Sequence, residues 1–138
     1  MEDAHVLDLF AGTGALGLEA LSRGAAHVTF VDDGRVAQGL LAGNIALLGV
    51  KDRVKVLRTS ALRLPVAEAP AGLVFLDPPY GKALGARALE AALAQGWIAE
   101  GALVVWEEST PQSAVAGFDL LDTRRYGDTH VTLLEKVD

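Results

Sequence analysis

The sequence predicts an α/β protein with a seven-stranded, mostly parallel sheet and helices on both faces. Apolar runs typical of buried strands alternate with stretches of helical periodicity over most of the chain, which is the pattern of βαβ units. The apolar content of 51% suits a sheet that is covered on both sides. A turn of hairpin length separates the last two apolar runs, so we expect the sheet to finish in a C-terminal antiparallel hairpin.

Each predicted element follows from the spacing of its apolar residues. Short apolar runs predict strands at 5–10, 27–32, 53–57, 72–77, 102–106, about 118–126 and about 129–136. Apolar residues that recur every three or four positions predict helices at 15–23, 35–48 and 84–95. The turn Tyr126-Gly127-Asp128-Thr129 joins the last two strands.

Length and composition limit the architecture and the kinds of site. Residues 1–138, with a mass of 14.4 kDa, are expected to form one domain. The absence of cysteine excludes disulfides and thiol chemistry, and the three scattered histidines favour no metal site. No apolar run has the length of a membrane span, and the first residues lack a signal-peptide pattern, so we expect a cytoplasmic protein.

The charge of the chain bears on its partners. A net charge of −6 argues against nucleic acid, because neutralising phosphates needs clustered Lys and Arg. The cations are nevertheless uneven, and one stretch, 51–63, holds several of them. We expect this stretch to be a solvated rim. We hypothesise that three residues near the hairpin contact RNA phosphate and base: Arg124, Arg125 and Tyr126.

A glycine-rich turn follows the first predicted strand and opens the first helix. The run Gly12-Thr13-Gly14-Ala15-Leu16-Gly17 has the spacing that lets a backbone approach a nucleoside cofactor, as in Rossmann-like folds. Asp32, at the end of the second strand, is placed to accept hydrogen bonds from a ribose. The motif alone is compatible with NAD, with S-adenosylmethionine, or with a turn needed only for packing.

Two neighbouring features favour S-adenosylmethionine over NAD. Asp8 stands inside the end of the first strand, where a carboxylate would attract the ammonium of a methionine moiety and repel a pyrophosphate. Phe10 and Ala11, before the first glycine, are typical of the methyltransferase form of the turn. We therefore predict that Asp8, Phe10 and Ala11 contact the cofactor together with Gly12 and Gly14.

Further cofactor contacts are expected at the ends of the second and third strands. Asp32 continues the register of its strand and is assigned to the ribose, whereas Asp33 is expected to cap the following helix. Ser60 and Ala61 follow the third strand and are assigned to the adenine ring.

The segment Asp77-Pro78-Pro79-Tyr80 follows the fourth predicted strand and suits a planar amino group. An exocyclic amine is a poor nucleophile because its lone pair is delocalised, so a site that methylates it needs acceptors in its plane. Asp77 and the carbonyl oxygen of Pro78 are the predicted acceptors, and the prolines restrict the backbone that holds them. Tyr80 is predicted to stack on the base. Asp77 is also expected to border the cofactor, since the first and fourth strands flank the ligand crevice.

With these motifs the chain resembles the bacterial small-subunit ribosomal RNA guanine-N2 methyltransferases, within the class I methyltransferase fold. The likeness covers nearly the whole chain and includes DLFAGTGALGLEALSRGA at 8–25, VFLDPPYGK at 74–82, and the stretch Gly96–Ser109. The resemblance implies methylation of the N2 amino group of one guanosine in 16S rRNA, in RNA or in the small ribosomal subunit. It also implies that the residues from Asp77 to Tyr80 face the base, and that S-adenosylmethionine is the cofactor.

Such proteins usually begin with a basic segment beside the cleft, which this sequence does not show, so we expect cofactor binding with weaker methyl transfer. Three alternatives stay open: an adenine-N6 DNA methyltransferase, a cofactor-binding domain without transfer activity, and an NAD-dependent oxidoreductase. Asp8 counts against the last of these. Glu107 and Glu108, after the fifth strand, are expected to be solvated carboxylates.

Overall fold

A computed structural model describes residues 4–79 and 83–137. The seven strands are β1 (His5–Leu9), β2 (His27–Val31), β3 (Val54–Leu57), β4 (Ala71–Leu76), β5 (Ile98–Glu108), β6 (Phe118–Tyr126) and β7 (Thr129–Lys136). The helices are α1 (Ala15–Ser22), α2 (Arg35–Leu48) and α3 (Leu84–Ala94), with a short 3-10 turn at Lys51–Arg53. Every predicted strand and helix is present, with small differences at the ends. The exception is β5, which begins four residues earlier and ends two residues later than predicted.

The strands form one sheet in the order β3-β2-β1-β4-β5-β7-β6. The first five strands in sequence run parallel to one another, whereas β7 is antiparallel to both β5 and β6. This arrangement confirms the mostly parallel sheet and the C-terminal hairpin. Because β7 inserts between β5 and β6, the antiparallel strand lies within the sheet and β6 forms its edge.

Two apolar clusters cover the two faces of the sheet. The α1 and α2 side buries Val6, Ala20, Leu21, Ala25, Val28, Phe30, Leu41 and Ile45. The α3 side is larger and includes Leu7, Leu9, Val31, Val74, Leu76, Ala88, Leu89, Trp97, Val104 and Trp106. Successive strand residues face opposite sides, so Val6 and Leu7 belong to different clusters. Helices therefore lie on both faces, as predicted.

Close approach of helix and sheet depends on two glycines. A Cβ built on Gly17 of α1 would lie 2.4 Å from Cε1 of Phe30, and one built on Gly85 of α3 would lie 2.4 Å from Cζ2 of Trp106. Each glycine thus lets a large aromatic ring fill the space between its helix and the sheet. None of the helices in the described part of the chain is long and apolar enough to cross a membrane.

Candidate active site

The predicted site residues that the structure describes lie at the carboxyl ends of the central strands β1, β2 and β4, apart from Ser60 and Ala61, which follow the edge strand β3. The chain moves outward from β1 to β2 and β3 on one side, and to β4 and β5 on the other, so the order reverses between β1 and β4. Open α/β sheets bind ligands in the crevice at such a switch point. The glycine-rich turn leaves β1 there, and Asp77 leaves β4 beside it.

Backbone hydrogen bonds fold the glycine-rich turn against β2. The Ala11 N–H donates to the Val31 carbonyl oxygen at 3.0 Å, and the Gly14 N–H donates to the Ala11 carbonyl oxygen at 2.9 Å. Gly14 has φ +84° and packs so closely that an added Cβ would lie 2.3 Å from Leu41. Gly12 has φ +59°, and an added Cβ there would meet nothing within 4 Å. Gly14 therefore serves packing, whereas Gly12 borders open space.

Phe10, between β1 and the glycines, has a strained backbone. Its φ of +59° lies in the left-handed region that non-glycine residues rarely adopt. Such conformations cost about 1–3 kcal/mol and persist where the surrounding structure over-determines them, often at functional sites. Here the strain directs the half-buried ring toward the cleft that Asp32 and Ser60 also line.

Asp8 lies beneath the turn with only 1% of its surface exposed. Its Oδ2 accepts a hydrogen bond from the Gly17 N–H at 3.1 Å, which ties the end of β1 to the first turns of α1. Burial raises the pKa of Asp8 to about 8; the Gly17 bond lowers it, while the nearby Asp77 and Asp32 raise it further. The structure therefore gives Asp8 a role in holding the turn, and its contact with a cofactor ammonium stays a prediction.

Asp32 joins three parts of the site. Its Oδ2 accepts from the Gly12 N–H at 2.9 Å, and its Oδ1 accepts from the Gly34 N–H at 2.7 Å. The side-chain amide of Gln38 in α2 donates to the Asp32 carbonyl oxygen. A carboxylate oxygen has two lone pairs, so each Asp32 oxygen keeps one acceptor site for a ligand hydroxyl.

The expectation that Asp33 caps α2 is wrong. Helix α2 begins after Gly34, which occupies the N-cap position and makes no side-chain cap bond. The Gly34 N–H donates to the carboxylate of Asp32 and not to that of Asp33. Asp33 is exposed instead, and its side chain borders the cleft. The bond from the Gly34 N–H to Asp32 Oδ1 spans two residues, which is the local contact typical of an Asx turn.

One cleft brings together residues from four separate segments. It has a cavity volume of about 170 Å³ and is lined by Phe10, Val31, Asp32, Asp33, Ser60, Ala61, Leu62, Pro79 and Leu84. The Ser60 Oγ accepts from the Leu62 N–H at 3.1 Å, so it shapes its own loop. Ligand cavities for drug-sized molecules usually span ~300–1,000 Å³, so this cavity has room for only part of such a ligand. Val31, Leu62 and Leu84 were not among the predicted site residues, although Leu84 was recognisable as the first residue of the helix after the Asp-Pro-Pro-Tyr segment.

The Asp-Pro-Pro segment follows β4 directly. Asp77 is half-buried, Pro78 is buried, and Pro79 is exposed at the cleft. Burial raises the pKa of Asp77 above its usual range. The predicted stacking residue Tyr80 lies outside the described residues.

A second carboxyl, that of Glu107, accompanies Asp77 at this end of the sheet. The pairing of Leu76 with Trp106 places Glu107 beside the position that follows β4. Burial raises the pKa of Glu107, and the charge of Asp77 raises it further. The expectation of solvated carboxylates is wrong for Glu108, which is buried and accepts from the Trp106 indole N–H at 3.3 Å.

Among residues 4–79 and 83–137, no three His, Asp or Glu side chains converge in a way that would hold a metal ion. The carboxyl groups at the strand ends instead accept backbone amides or remain half-buried. Acceptor groups beside apolar walls suit an organic ligand that has both hydroxyl and amino donors.

Known proteins are similar to this chain over most of its length. A family model described as conserved hypothetical protein 95 matches residues 1–135. The ribosomal RNA small subunit methyltransferase D of Escherichia coli is 39% identical over 106 residues, which are 76% of this chain and 53% of that protein. The protein of the same name from Haemophilus influenzae is 32% identical over 111 residues, covering 78% and 58%. The chain thus spans about half the length of the curated relatives it matches.

Solved structures extend the likeness over the whole fold. The Escherichia coli protein yhhF superposes with a TM-score of 0.88 at 32% identity, over 99% of this chain and 77% of that one. A conserved hypothetical protein from Streptococcus pyogenes gives a TM-score of 0.86 at 31% identity, over 99% and 88%.

Proposed function

The chain belongs to the family described as conserved hypothetical protein 95 and has the class I methyltransferase fold, and on this premise we propose that it is an S-adenosylmethionine-dependent ribosomal RNA methyltransferase. The proposed acceptor is the exocyclic N2 amino group of a guanosine in small-subunit RNA. One observation carries the proposal: Phe10 before the glycine-rich turn, the end of β2, the loop after β3 and Pro79 of the Asp-Pro-Pro segment line one cleft at the switch point. We further propose that residues 1–138 act as a single domain in the cytoplasm.

The residues of the cleft fit this cofactor. Apolar side chains, chiefly Phe10, Leu62 and Leu84, form walls for an adenine ring. The free acceptor sites of Asp32 suit ribose hydroxyls, and Ser60 and Ala61, which line the same cleft, are assigned to the adenine ring. When bound, the cofactor supplies a methyl group on a positively charged sulfur. The carboxyl groups around the cleft favour such a cation electrostatically.

Asp77 and Pro78 have the main role in orienting the base. An Asp77 oxygen accepts one N–H of the amine and the Pro78 carbonyl oxygen accepts the other, which turns the nitrogen lone pair toward the methyl group. The nitrogen would become cationic as its bond to the methyl carbon forms and the methyl–sulfur bond breaks, which leaves a neutral thioether, and it would then release a proton to water. Asp77 stabilises that charge, and the restricted proline backbone keeps both acceptors aligned before the reaction.

The test is methyl transfer from labelled S-adenosylmethionine to small-subunit ribosomal RNA, followed by nucleoside analysis. We expect N2-methylguanosine from the wild type. Asp77→Asn should lower transfer by about 10²–10³-fold, the usual effect of removing one preorganised electrostatic group, while cofactor affinity stays close to that of the wild type. Asp119→Asn, which removes an exposed carboxyl from β6, is the matched control and should retain activity.

Other outcomes identify the competing functions. N6-methyladenine in DNA would indicate an adenine methyltransferase, and cofactor binding without transfer to any acceptor would indicate a binding domain. Binding of NAD in place of S-adenosylmethionine would contradict the interpretation of the glycine-rich turn. A loss of cofactor binding in Asp77→Asn would contradict the role of Asp77 in holding the base.

A further inference from the structure

A strip of basic side chains runs along the open edge of the sheet at β3. Arg35, Lys51, Arg58 and Arg63 are exposed there, and we call these four residues the β3 basic strip. They line three adjoining grooves with volumes of about 360, 440 and 540 Å³, and Arg58 borders all three. Asp33 is the single acid among the lining residues of these grooves.

The cations of the strip differ from the neighbouring cations in their contacts with the described part of the protein. Two neighbouring cations are bound to other groups of the protein. Arg53 donates to the backbone carbonyls of Leu21 and Ala25, and Lys55 pairs with Glu68 at 3.3 Å. In the part of the chain that the structure describes, no strip residue forms an ion pair. A chain with a net charge of −6 thus concentrates free positive charge at one edge.

The strip adjoins the candidate active site. The Asp32 N–H donates to the Leu57 carbonyl oxygen at 3.2 Å, so Arg58 follows immediately beside the end of β2. Asp33 borders both the cofactor cleft and the groove that contains Arg35 and Arg58. Three strand spacings separate β3 from β4, which is about 14 Å at ~4.8 Å per strand. If one base of an extended nucleic-acid strand lies at Asp77, the strand reaches this edge of the sheet within a few nucleotides.

We propose that the β3 basic strip binds the phosphodiester backbone of the RNA substrate, an inference that rests on the proposed function. Arginine suits phosphate because its planar guanidinium donates two parallel hydrogen bonds. None of the residues that line the three grooves is aromatic, so they offer no platform for stacking bases. The strip therefore holds the backbone independently of sequence, while the Asp-Pro-Pro segment selects the base.

The opposite edge of the sheet provides a matched comparison. Arg124 and Arg125 lie on β6, which is also three strands from β4. Arg124 is paired with Asp122 at 2.9 Å, and the Arg125 Nε donates to the Gly127 carbonyl oxygen at 2.9 Å. These two arginines are engaged within their own hairpin, which makes this edge the weaker candidate for RNA.

The experiment compares Arg58→Gln/Arg63→Gln with Arg124→Gln/Arg125→Gln, since each pair removes two exposed arginines. Affinity for a fluorescent small-subunit RNA fragment is measured by anisotropy between about 50 and 200 mM salt. Each lost phosphate contact lowers the slope of log affinity against log salt by about 0.7–0.9. We expect the Arg58/Arg63 variant to lose about 1.4–1.8 of this slope and the Arg124/Arg125 variant to keep the wild-type slope. S-adenosylmethionine affinity and the unfolding midpoint should be unchanged in both.

Several results would overturn the inference. These are an unchanged slope in the Arg58/Arg63 variant, an equal loss in the two variants, or no RNA binding by the wild type. If the wild type transfers methyl groups but the Arg58/Arg63 variant keeps the wild-type salt slope, the proposed role of the strip is refuted. The proposed function is then unaffected. RNA binding that depends on Arg58 and Arg63 without any methyl transfer would refute the proposed function and support the strip.

Discussion

The stability of the fold should fall with rising pH because Asp8 is buried. Burial raises the pKa of this carboxyl from 3.8 to about 8, so between these values the folded chain holds a proton that the unfolded chain has released. A raised folded-state pKa contributes stability that is complete below the unfolded pKa and is lost as the pH rises through the folded one. For one proton the loss is about 1.4 kcal/mol of unfolding free energy per pH unit.

Asp8→Asn isolates this effect. Asparagine has nearly the same volume and keeps an oxygen to accept the Gly17 N–H, but it does not titrate. Between about pH 5 and 7 the wild type should lose roughly 3 kcal/mol relative to the variant. Urea unfolding at constant ionic strength measures the difference, with Asp119→Asn as the exposed-carboxyl control. Parallel pH curves for the wild type and Asp8→Asn would refute the argument that the carboxyl is protonated in the folded chain.

The same carboxyl should couple cofactor binding to proton release. In the proposed complex, the ammonium of S-adenosylmethionine lowers the pKa of Asp8, and the proton leaves as the cation arrives. Affinity should therefore increase as the pH rises from about 6 to 8. Calorimetry in two buffers of different ionisation enthalpy counts the protons released. Equal counts for the wild type and Asp8→Asn would exclude Asp8 as the source.

Two further pairs of variants test the packing and the turn. Gly17→Ala should lower the unfolding free energy by about 1–3 kcal/mol because the new methyl group would overlap the Phe30 ring. Gly43→Ala, in α2 with nothing within 4 Å of the new carbon, should raise it by about 0.5–1 kcal/mol, and similar effects at the two positions would refute the packing argument. Asp32→Ala should weaken S-adenosylmethionine binding about tenfold or more, since a hydrogen bond to a charged group contributes ~1.5–3 kcal/mol. Asp33→Ala is its control, and a larger loss there would transfer the ribose contact to Asp33.

The course of the chain was predictable because apolar periodicity records which side of each element faces the core. Residues 35–48 were predicted as a helix, and α2 has these bounds. One prediction failed because the fifth strand is longer than its apolar run. Ending the fifth strand at 106 assigned Glu108 to solvent, whereas the strand continues and Glu108 shares the buried face of Trp106, two residues before it.

Residue types at the site were predictable, but their environments were not. The G-x-G-x-x-G spacing pointed to Asp8 and Asp32, yet spacing does not report how deeply a carboxyl is buried or which amides it accepts. Helix α2 has no side-chain cap at Gly34, and the Gly34 N–H just before the helix donates to Asp32 and not to Asp33. The partnership of Asp77 and Glu107 depends on the register between β4 and β5, which only the assembled sheet defines.

The distribution of charge explains how a chain with a net negative charge would bind an anionic substrate such as RNA. Carboxyl groups gather at the strand ends: burial raises the pKa of Asp8, and the charges of the nearby Asp77 and Asp32 raise it further. That environment attracts a cationic sulfur and repels phosphate, so an RNA backbone is expected to stay outside the cleft while a base enters it. The backbone then needs a cationic surface at a distance from the carboxyl groups. In the proposed arrangement the β3 basic strip supplies that surface at the sheet edge, which separates the binding of the backbone from the chemistry at Asp77.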